Sequence, residues 1–433
     1  MPDRIHLIRG VKGTRDLLPP GTALWQRVED DARQTFEAYD FKEIRTPIIE
    51  PTALFARSVG ADTDIVSKEM YTFEDRDHES LTLRPEATAS VVRSCLEHGL
   101  LNDSGIHKLY YIGPMFRRER PQKGRYRQFY QIGAEVLGSD HPLIDVEAIE
   151  MLESFLDSVA KTGAGEFRLL INSVGCGRCR PAYLKLLRHE LERVKAEMCG
   201  DCQRRAETNP LRVFDCKVEA DQPIIAGLPT ILDHLCMECR QHFETVTEEL
   251  RRRGIRHHIT PRLVRGLDYY TRTTFEITSD ALGAQNALLG GGRYDGLAEL
   301  LGGPPTPAFG FAIGEDRLVE TLSAVARSAG NPEWGEALLH VFIAWMDHQA
   351  GIPANDLARE LRAQRLKVAL MYEPMKLKKA LSLGSRLGAR FAVIIGEQEL
   401  ASGRYQVKNM KTGEQEEVER ESVAGYLHEK IGA

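Results

Sequence analysis

Apolar residues recur at helical spacing near the start of the chain. In "GTALWQRVEDDARQTFEAYDF", Leu24, Val28 and Phe36 fall on one face of a helical period, which predicts an amphipathic helix. The extended stretch "EIRTPIIEP" follows it. Pro47 and Pro51 lack the N–H of a central strand, so they confine this strand to an edge or an end of a sheet.

Alternating apolar and polar positions then predict further strands. "HKLYYIGPMFRRE" and "GRYRQFYQIGAEVLG" are typical of two strands joined by a basic loop. "SLTLRPEATASVVRSCLEHGL" is typical of a short strand, a turn and a helix. The pattern predicts an α+β core in which helices lie beside a mostly antiparallel sheet.

The pattern changes twice along the chain. From Cys176 to about His258 it is helical and rich in cysteine, which indicates a domain inserted into the β-rich core. After the polar "RSAGNPEWGE", strand-like and helical runs alternate, as in a small, largely parallel sheet covered by helices. The predicted divisions are a core (1–172 and 259–326), a helical insertion (173–258), a linker (327–336) and an α/β domain (337–433).

Composition and charge narrow the class of protein. The 433 residues carry a formal net charge of -6. No run approaches the roughly 18 to 20 apolar residues of a membrane span, and the N-terminus lacks a secretory signal, so we expect a cytoplasmic protein without membrane contact. Net negative charge argues against a protein that coats nucleic acid indiscriminately. Any contact with nucleic acid must therefore be local.

Positive charge is concentrated in "FRRERPQKGRYRQF", residues 116–129, which has six cationic side chains and one carboxylate. In the strand that follows, a period of two places Gln131, Gly133 and Glu135 on one face, where they can form a polar floor for a ligand. The preceding strand ends with Arg117, whose guanidinium could bind a phosphate through two hydrogen bonds. The alternative is an ordinary sheet face with its polar residues in solvent.

Three later segments combine polar side chains with glycine. "LVRGLDYYTRTTFEI" offers Arg265, a carboxylate, Tyr269 and Tyr270, although a core strand with an Arg/Asp ion pair would have the same pattern. "LLGGGRYDGL" has three consecutive glycines, which permit close approach of the backbone to a ligand. In "GFAIGEDRL", Arg317 stands in the first turn of a predicted helix, where a bound phosphate explains a cation better than helix stability does.

Six of the eight cysteines form three Cys-x-x-Cys pairs, a spacing that lets two thiolates bind one tetrahedral zinc ion. We favour a zinc site formed by the two outer pairs, Cys176, Cys179, Cys236 and Cys239. The middle pair, Cys199 and Cys202, and the single Cys216 leave the partnership open. The alternative is a reduced cluster of thiols without metal.

Together these segments resemble the histidyl-tRNA synthetases, a family of class II aminoacyl-tRNA synthetases. "LVRGLDYY" and "GGGRYDGL" resemble the two histidine-specific signatures, and "LTLRPEATA" resembles the amino-acid-binding stretch. "EIRTPIIEP", "MFRRERPQKGRYRQFYQIGAEV" and "GFAIGEDRL" are similar to class II motifs 1, 2 and 3, except that Asp316 stands where the family usually has Glu. "GARFAVIIGEQELASGRYQVKNMKTGEQ" is similar to the anticodon-binding domain.

The resemblance implies an aminoacyl-tRNA ligase that activates L-histidine with ATP and Mg²⁺ and then transfers it to its tRNA. The catalytic residues would be Arg265, Arg117 and Arg317. ATP would be bound by Arg117, Glu119, Arg125 and Arg317. Histidine would be bound by Pro85, Glu86, Ala87, Thr88, Gln131, Glu135, Tyr269, Tyr270 and Tyr294. The other basic-loop residues would contact nucleotide phosphates or the acceptor end of the tRNA; they are Arg118, Arg120, Lys123 and Arg127.

The resemblance also implies a homodimer and an anticodon contact, and it leaves two rival functions. One is a non-catalytic paralogue that serves as the regulatory subunit of ATP phosphoribosyltransferase in histidine biosynthesis. Such paralogues lack the C-terminal domain and lose motif arginines, whereas this chain has the domain as well as Arg117, Arg265 and Arg317. The other is a zinc-containing RNA-binding module, which leaves the histidine signatures unexplained.

Overall fold

The computed structural model describes residues 7–60, 63, 65–102, 105–119, 124–160, 167–267, 269–279, 287–328 and 339–431. The described residues form two compact units. The first lies within residues 1–17 and 24–334, and the second within residues 18–23 and 335–433.

Sixteen strands and fourteen α-helices lie in these ranges. The strands are β1 (Lys42–Glu43), β2 (Ile49–Pro51), β3 (Tyr71–Glu74), β4 (Ser80–Leu83), β5 (His107–Phe116), β6 (Gln128–Leu137), β7 (Phe167–Ser173), β8 (His257–Ile259), β9 (Thr271–Ser279), β10 (Ala287–Arg293), β11 (Ala308–Gly314), β12 (Leu339–Trp345), β13 (Val368–Leu370), β14 (Ala389–Ile395), β15 (Arg404–Asn409) and β16 (Gln415–Glu419). The helices are α1 (Thr22–Ala38), α2 (Thr52–Ser58), α3 (Thr88–Glu97), α4 (Pro142–Ala160), α5 (Arg180–Val194), α6 (Gly200–Thr208), α7 (Gln222–Gly227), α8 (Met237–Arg252), α9 (Leu297–Leu300), α10 (Glu315–Ser328), α11 (Gly351–Ala363), α12 (Leu377–Arg386), α13 (Glu397–Ser402) and α14 (Val423–Ile431).

Eight strands form the main sheet of the first unit, in the order β1-β5-β6-β11-β10-β9-β7-β8. The ladders in its middle are antiparallel, whereas β1 pairs with β5 and β8 pairs with β7 in parallel. The predicted α+β class is confirmed, with a parallel strand at each edge of an antiparallel centre. Pro51 ends β2 at the edge of a smaller sheet, β2-β4-β3, as its missing N–H predicts.

One face of the main sheet is covered by helices that share its hydrophobic core. Helix α1 is the predicted amphipathic helix, and its Val28 and Phe36 are fully buried. The Phe36 ring packs edge-on against Phe155 of α4 and Phe311 of β11, with centroids 5.8 and 6.0 Å away. Ile132 of β6 faces the same core. Because side chains alternate along a strand, the neighbours of Ile132 point to the opposite face.

Four helices, α5 to α8, lie between β7 and β8. Helices α5 to α7 and the segments around them form a separate small core in which Tyr183, Leu187 and Val213 are buried. Helix α8 instead packs into the main core through Phe243, Val246 and Leu250. Strand β7 ends at Ser173 and β8 begins at His257, so the helical segment interrupts the main sheet at two neighbouring strands.

The second unit has a five-stranded sheet in the order β13-β12-β14-β15-β16. Strands β12, β13 and β14 are parallel, as the alternating pattern predicts. Strands β14, β15 and β16 pair antiparallel. A short turn joins β15 to β16, as is typical of an antiparallel hairpin. Helix α10 ends at Ser328, and the rest of the predicted linker lies outside the described residues. None of the described helices has the length and apolar character needed to cross a membrane.

Candidate active site

A cavity of about 300 Å³ lies in the first unit, on the face of the main sheet that α1 leaves open. Most of the predicted site residues line it: Glu86, Thr88, Arg117, Glu119, Arg125, Gln131, Arg265, Tyr269, Tyr270, Tyr294 and Arg317. Three predicted histidine-binding residues do not line the cavity. Glu135 lies behind its wall and contacts Thr88. Pro85 has a carbonyl oxygen that accepts a hydrogen bond from Arg117, and Ala87 is fully buried at the start of α3.

Strand β6 contributes Phe129 and Gln131 to the lining of the cavity. Gln131 and Glu135 point away from the helix-covered core, as the period of two predicts, and they are only 8% and 1% exposed. The alternative of a solvent-exposed polar face is therefore wrong. The side-chain oxygen of Gln131 has no hydrogen-bond partner in the described part of the chain, which leaves a buried acceptor beside the cavity.

Glu135 is held by two hydroxyl groups. The hydroxyl of Thr88 donates to one of its carboxylate oxygens at 2.8 Å, and the hydroxyl of Tyr294 donates to the other. Gly310 on the neighbouring strand makes room, because a Cβ there would stand 1.8 Å from Oε2 of Glu135. Burial raises the pKa of Glu135 to about 8 against the opposing effect of these hydrogen bonds, so the free protein retains this proton at neutral pH.

Glu86 lies in the turn before α3. Its carboxylate accepts the backbone N–H groups of Thr88 and Ala89 at 2.9 and 3.0 Å, which satisfies donors at the start of the helix. Burial raises the pKa of Glu86. Glu86, Thr88, Glu135 and Tyr294 form a contiguous group that we call the acceptor cluster.

Arg265 lies across β10. Its guanidinium forms an ion pair with Glu276 of β9, and a Cβ on Gly290 would stand 2.3 Å from the guanidinium carbon. This glycine of the "GGG" run therefore makes room for the protein's own arginine. Asp268, the ion-pair partner considered from the sequence, lies outside the described residues. Glu276 was not predicted from the sequence. Its one signal is that it is the only charged residue in "TFEIT", an otherwise uncharged stretch of a buried strand.

Two tyrosines complete the wall beside Arg265. The rings of Tyr269 and Tyr270 lie 4.8 Å apart, and Tyr269 meets Tyr294 edge-on at 5.6 Å. Burial raises the pKa of the Tyr269 and Tyr294 hydroxyls well above the ordinary value, so both stay protonated as hydrogen-bond donors.

Three guanidinium groups line the same cavity, and we call Arg117, Arg125 and Arg317 the cation cluster. Glu119 has carboxylate oxygens 3.9 Å from Arg117 and 3.2 Å from Arg125. Arg317 donates to the carbonyl oxygens of Gly124 and Ala287 at 3.4 and 2.5 Å. Burial and the charge of Arg125 lower the pKa of Arg317, and the nearby carboxylates of Glu119 and Glu320 do not offset them.

Asp316 is turned away from Arg317. It accepts Nη2 of Arg15 at 2.6 Å and the backbone N–H of Tyr130 at 2.7 Å, and the Arg15 guanidinium lies 4.0 Å from the centre of the Tyr126 ring. Nothing in the motif around Arg15 indicated this contact. In the basic loop, Arg118 is exposed and Arg127 donates to the carbonyl oxygen of Lys12 at 2.9 Å, whereas residues 120–123 lie outside the described ranges.

The outer cysteine pairs meet at the base of the insertion and form what we call the outer cluster, Cys176, Cys179, Cys236 and Cys239. Cys176 lies 3.8 Å from Cys179 and 3.9 Å from Cys236, and Cys179 lies 3.9 Å from Cys239, all measured between sulfur atoms. Four sulfurs about 2.3 Å from one zinc ion lie about 3.8 Å apart. All eight cysteines are free thiols.

Comparison with known proteins connects this site to a family. The sequence profile "Histidyl-tRNA synthetase" matches residues 13–318, which include every residue of the cavity, and the profile "Anticodon binding domain" matches residues 340–430. The chain belongs to the histidyl-tRNA synthetase family. Members of this class use ATP with Mg²⁺, and the family binds histidine and tRNA.

Full-length relatives of the histidyl-tRNA synthetase family agree with this assignment. The "Histidine--tRNA ligase" of Solibacter usitatus is 57% identical, over 97% of this chain and 99% of that protein. The protein of the same name from Koribacter versatilis is 53% identical, over 97% and 96%. The crystal structure of apo S. aureus histidyl-tRNA synthetase has a TM-score of 0.79 at 38% identity, over 97% of this chain and 100% of that one. These matches support the ligase over the regulatory paralogue.

Proposed function

We propose that this chain is a histidine–tRNA ligase whose two half-reactions start in the cavity of the main sheet. The observation that supports this best is that residues of both the acceptor cluster and the cation cluster line one cavity. A substrate that has both N–H donors and phosphates matches such a cavity, and histidine joined to ATP is such a substrate.

The acceptor cluster would bind histidine. The imidazole and the α-amino group are donors, and Glu135, Glu86 and Gln131 are acceptors that water does not reach freely. Tyr269, Tyr270 and Tyr294 would enclose the ring, with Thr88 orienting Glu135. Pro85 and Ala87 would act through their backbone. An isostere without the donors would leave buried acceptors unpaired, which is the stronger kind of discrimination.

The cation cluster would bind ATP. Arg117 would contact the α-phosphate and the histidine carboxylate, Arg317 the γ-phosphate, and Arg125 the phosphates beside it. A carboxylate oxygen of histidine attacks the α-phosphorus as the bond from this phosphorus to its bridging oxygen breaks, and pyrophosphate leaves. Arg265, held by Glu276, would stabilise the charge that develops, so positioning and fixed positive charge account for most of the rate.

Glu119 gives the phosphate end a hard oxygen ligand. Mg²⁺ binds through one or two carboxylates together with substrate phosphates, so a single carboxylate beside the cation cluster fits this ion. When bound, Mg²⁺ neutralises charge on the phosphates.

The remaining parts would serve the tRNA. Residues 337–433 would contact the anticodon, and the exposed Arg118 would lie near the acceptor end. We expect a homodimer that works in the cytoplasm. A zinc ion in the outer cluster would fasten the start of α5 to the start of α8, as the sulfur spacing supports.

Charging of tRNA tests the proposal against its main rival. Purified protein, ATP, labelled histidine and a histidine tRNA transcript should yield histidyl-tRNA, whereas a transcript for another amino acid should not. A protein that charges neither transcript but stimulates an ATP phosphoribosyltransferase would be the regulatory paralogue.

A further inference from the structure

A second group of potential metal ligands lies inside the insertion, apart from the outer cluster. It consists of Cys199 at the N-terminal boundary of α6, Cys202 in the first turn, Cys216 and Asp221. Cys199 and Cys202 thus come from the start of α6, and Cys216 and Asp221 come from the loop that follows α6. We call this group the inner cluster.

The spacing of the inner cluster fits one tetrahedral ion. The sulfurs of Cys199 and Cys216 are 3.9 Å apart, and the sulfur of Cys216 is 3.3 Å from Oδ2 of Asp221. All four ligand atoms lie within 4.8 Å of one another. Zinc–oxygen bonds are about 0.2 Å shorter than zinc–sulfur bonds, so a shorter sulfur-to-oxygen edge is expected.

Neighbouring backbone groups hold these ligands in place. The N–H of Cys199 donates to both carboxylate oxygens of Asp221 at 3.1 and 3.2 Å, and the N–H of Val218 donates to the sulfur of Cys216 at 3.4 Å. Bonds of this kind orient metal ligands in proteins.

The alternative of reduced thiols without metal accounts less well for the inner cluster than for the outer cluster. Thiols alone pack as small apolar groups, but Asp221 adds a carboxylate that is 1% exposed. Within the described ranges, no lysine or arginine pairs with it. A buried carboxylate among three thiols lacks a counter-charge, and a divalent cation would supply it.

We propose that the inner cluster is a second zinc site, with Cys199, Cys202, Cys216 and Asp221 as its ligands. The ion closes the loop that contains the 3₁₀ helix Pro210–Asp215. Arg212 of this helix lies against Gly266, where a Cβ would stand 2.9 Å from its Nη1. The site therefore braces a loop that packs beside Arg265.

Metal analysis of the full chain tests this proposal. Protein from zinc-replete cells should contain about two zinc equivalents. Cys176→Ser/Cys236→Ser should retain about one, and adding Cys216→Ala should remove it. Asp221→Ala should lower the zinc affinity of the inner cluster, and Asp221→Cys should restore it. Asp201→Ala, which removes an exposed carboxylate on α6, should leave both ions bound.

The outcomes separate the two clusters. A single equivalent that persists in Cys216→Ala overturns the inner site, as does a Cys176→Ser/Cys236→Ser protein without zinc. A single equivalent that Cys216→Ala removes supports the inner site and counts against the outer one. If a variant does not fold, the wild-type protein can be tested instead by removing its zinc with a chelator. Amide hydrogen exchange in residues 209–221 should then increase, and unchanged exchange would contradict the proposal.

Discussion

The two sheets of this protein differ in what they bury. The main sheet buries polar and charged groups, among them Gln131 and Glu135 on the face that α1 leaves open. In the second unit, no charged side chain is buried within residues 339–431, and strands such as β14 bury Val393 and Ile395 instead. Both sheets are mixed and covered by helices, so architecture does not explain the difference.

The difference supports the proposal that small ligands bind in the cavity of the main sheet. A buried polar group costs stability unless something pairs with it, so a fold keeps such groups where they have a use. In the main sheet the pairing is incomplete, because the side-chain oxygen of Gln131 has no hydrogen-bond partner among the described residues. The second sheet has an apolar interior, so any function there belongs to its surface.

The largest effect should come from removing a positively charged side chain from the cavity of the main sheet. Arg265→Gln should lower the rate of histidyl-adenylate formation by about 10²–10³-fold, as expected for losing one fixed positive group at the developing charge. Single-turnover kinetics would measure this. Val393→Ala, fully buried in the second sheet, should leave the rate unchanged and lower the free energy of unfolding by roughly 0.5–3 kcal/mol. Equal rate losses in both variants would contradict the contrast between the sheets.

Glycine substitutions should give the next largest effect. Gly310→Ala forces Glu135 to move, so the KM for histidine should rise about tenfold or more, since overpacking costs roughly 1–3 kcal/mol. Gly384→Ala meets Phe342 at 2.8 Å in the second unit and should reduce stability without changing this KM. Gly296→Ala meets nothing within 4 Å and is the neutral control. A histidine KM unaffected by Gly310→Ala would place histidine elsewhere.

The smallest effect concerns pH. Glu135 has a pKa of about 8 in the free protein, and a histidine N–H favours its ionised form, so binding should release a proton. The affinity for histidine should rise roughly fivefold from pH 7 to pH 8, measured by calorimetry in buffers of different ionisation enthalpy.

Glu135→Gln is the control for this pH effect. Its affinity should be weaker and independent of pH in this window. Because the folded-state pKa is raised, the stability linked to this proton is present at low pH and is lost as the pH rises through about 8. The melting temperature of the variant should therefore rise relative to the wild type as the pH increases from the unfolded pKa, roughly 4.3, to about 8, and the difference should level off above pH 8. A wild-type affinity that is flat from pH 7 to pH 8 would contradict the role of Glu135.

Local patterns predicted much of the fold and of the site. The period of two in β6 placed Gln131 and Glu135 on the face that α1 leaves open, and the helix-start position predicted that Arg317 would be available to a phosphate. The pairing of distant residues could not be predicted this way: Arg265 with Glu276, and Arg15 with Asp316, meet only through strand order and helix placement. Strand β16 was missed because Val418 is its one buried residue, which leaves little apolar alternation to detect.

Histidine-dependent exchange of labelled pyrophosphate into ATP tests the central claim most directly, because it depends on the cavity of the main sheet and needs no tRNA. We predict rapid exchange with histidine and near-background exchange with the other amino acids, with Arg265→Gln reducing it and Val393→Ala leaving it intact. Absence of exchange with histidine, or equal exchange with several amino acids, would contradict the account.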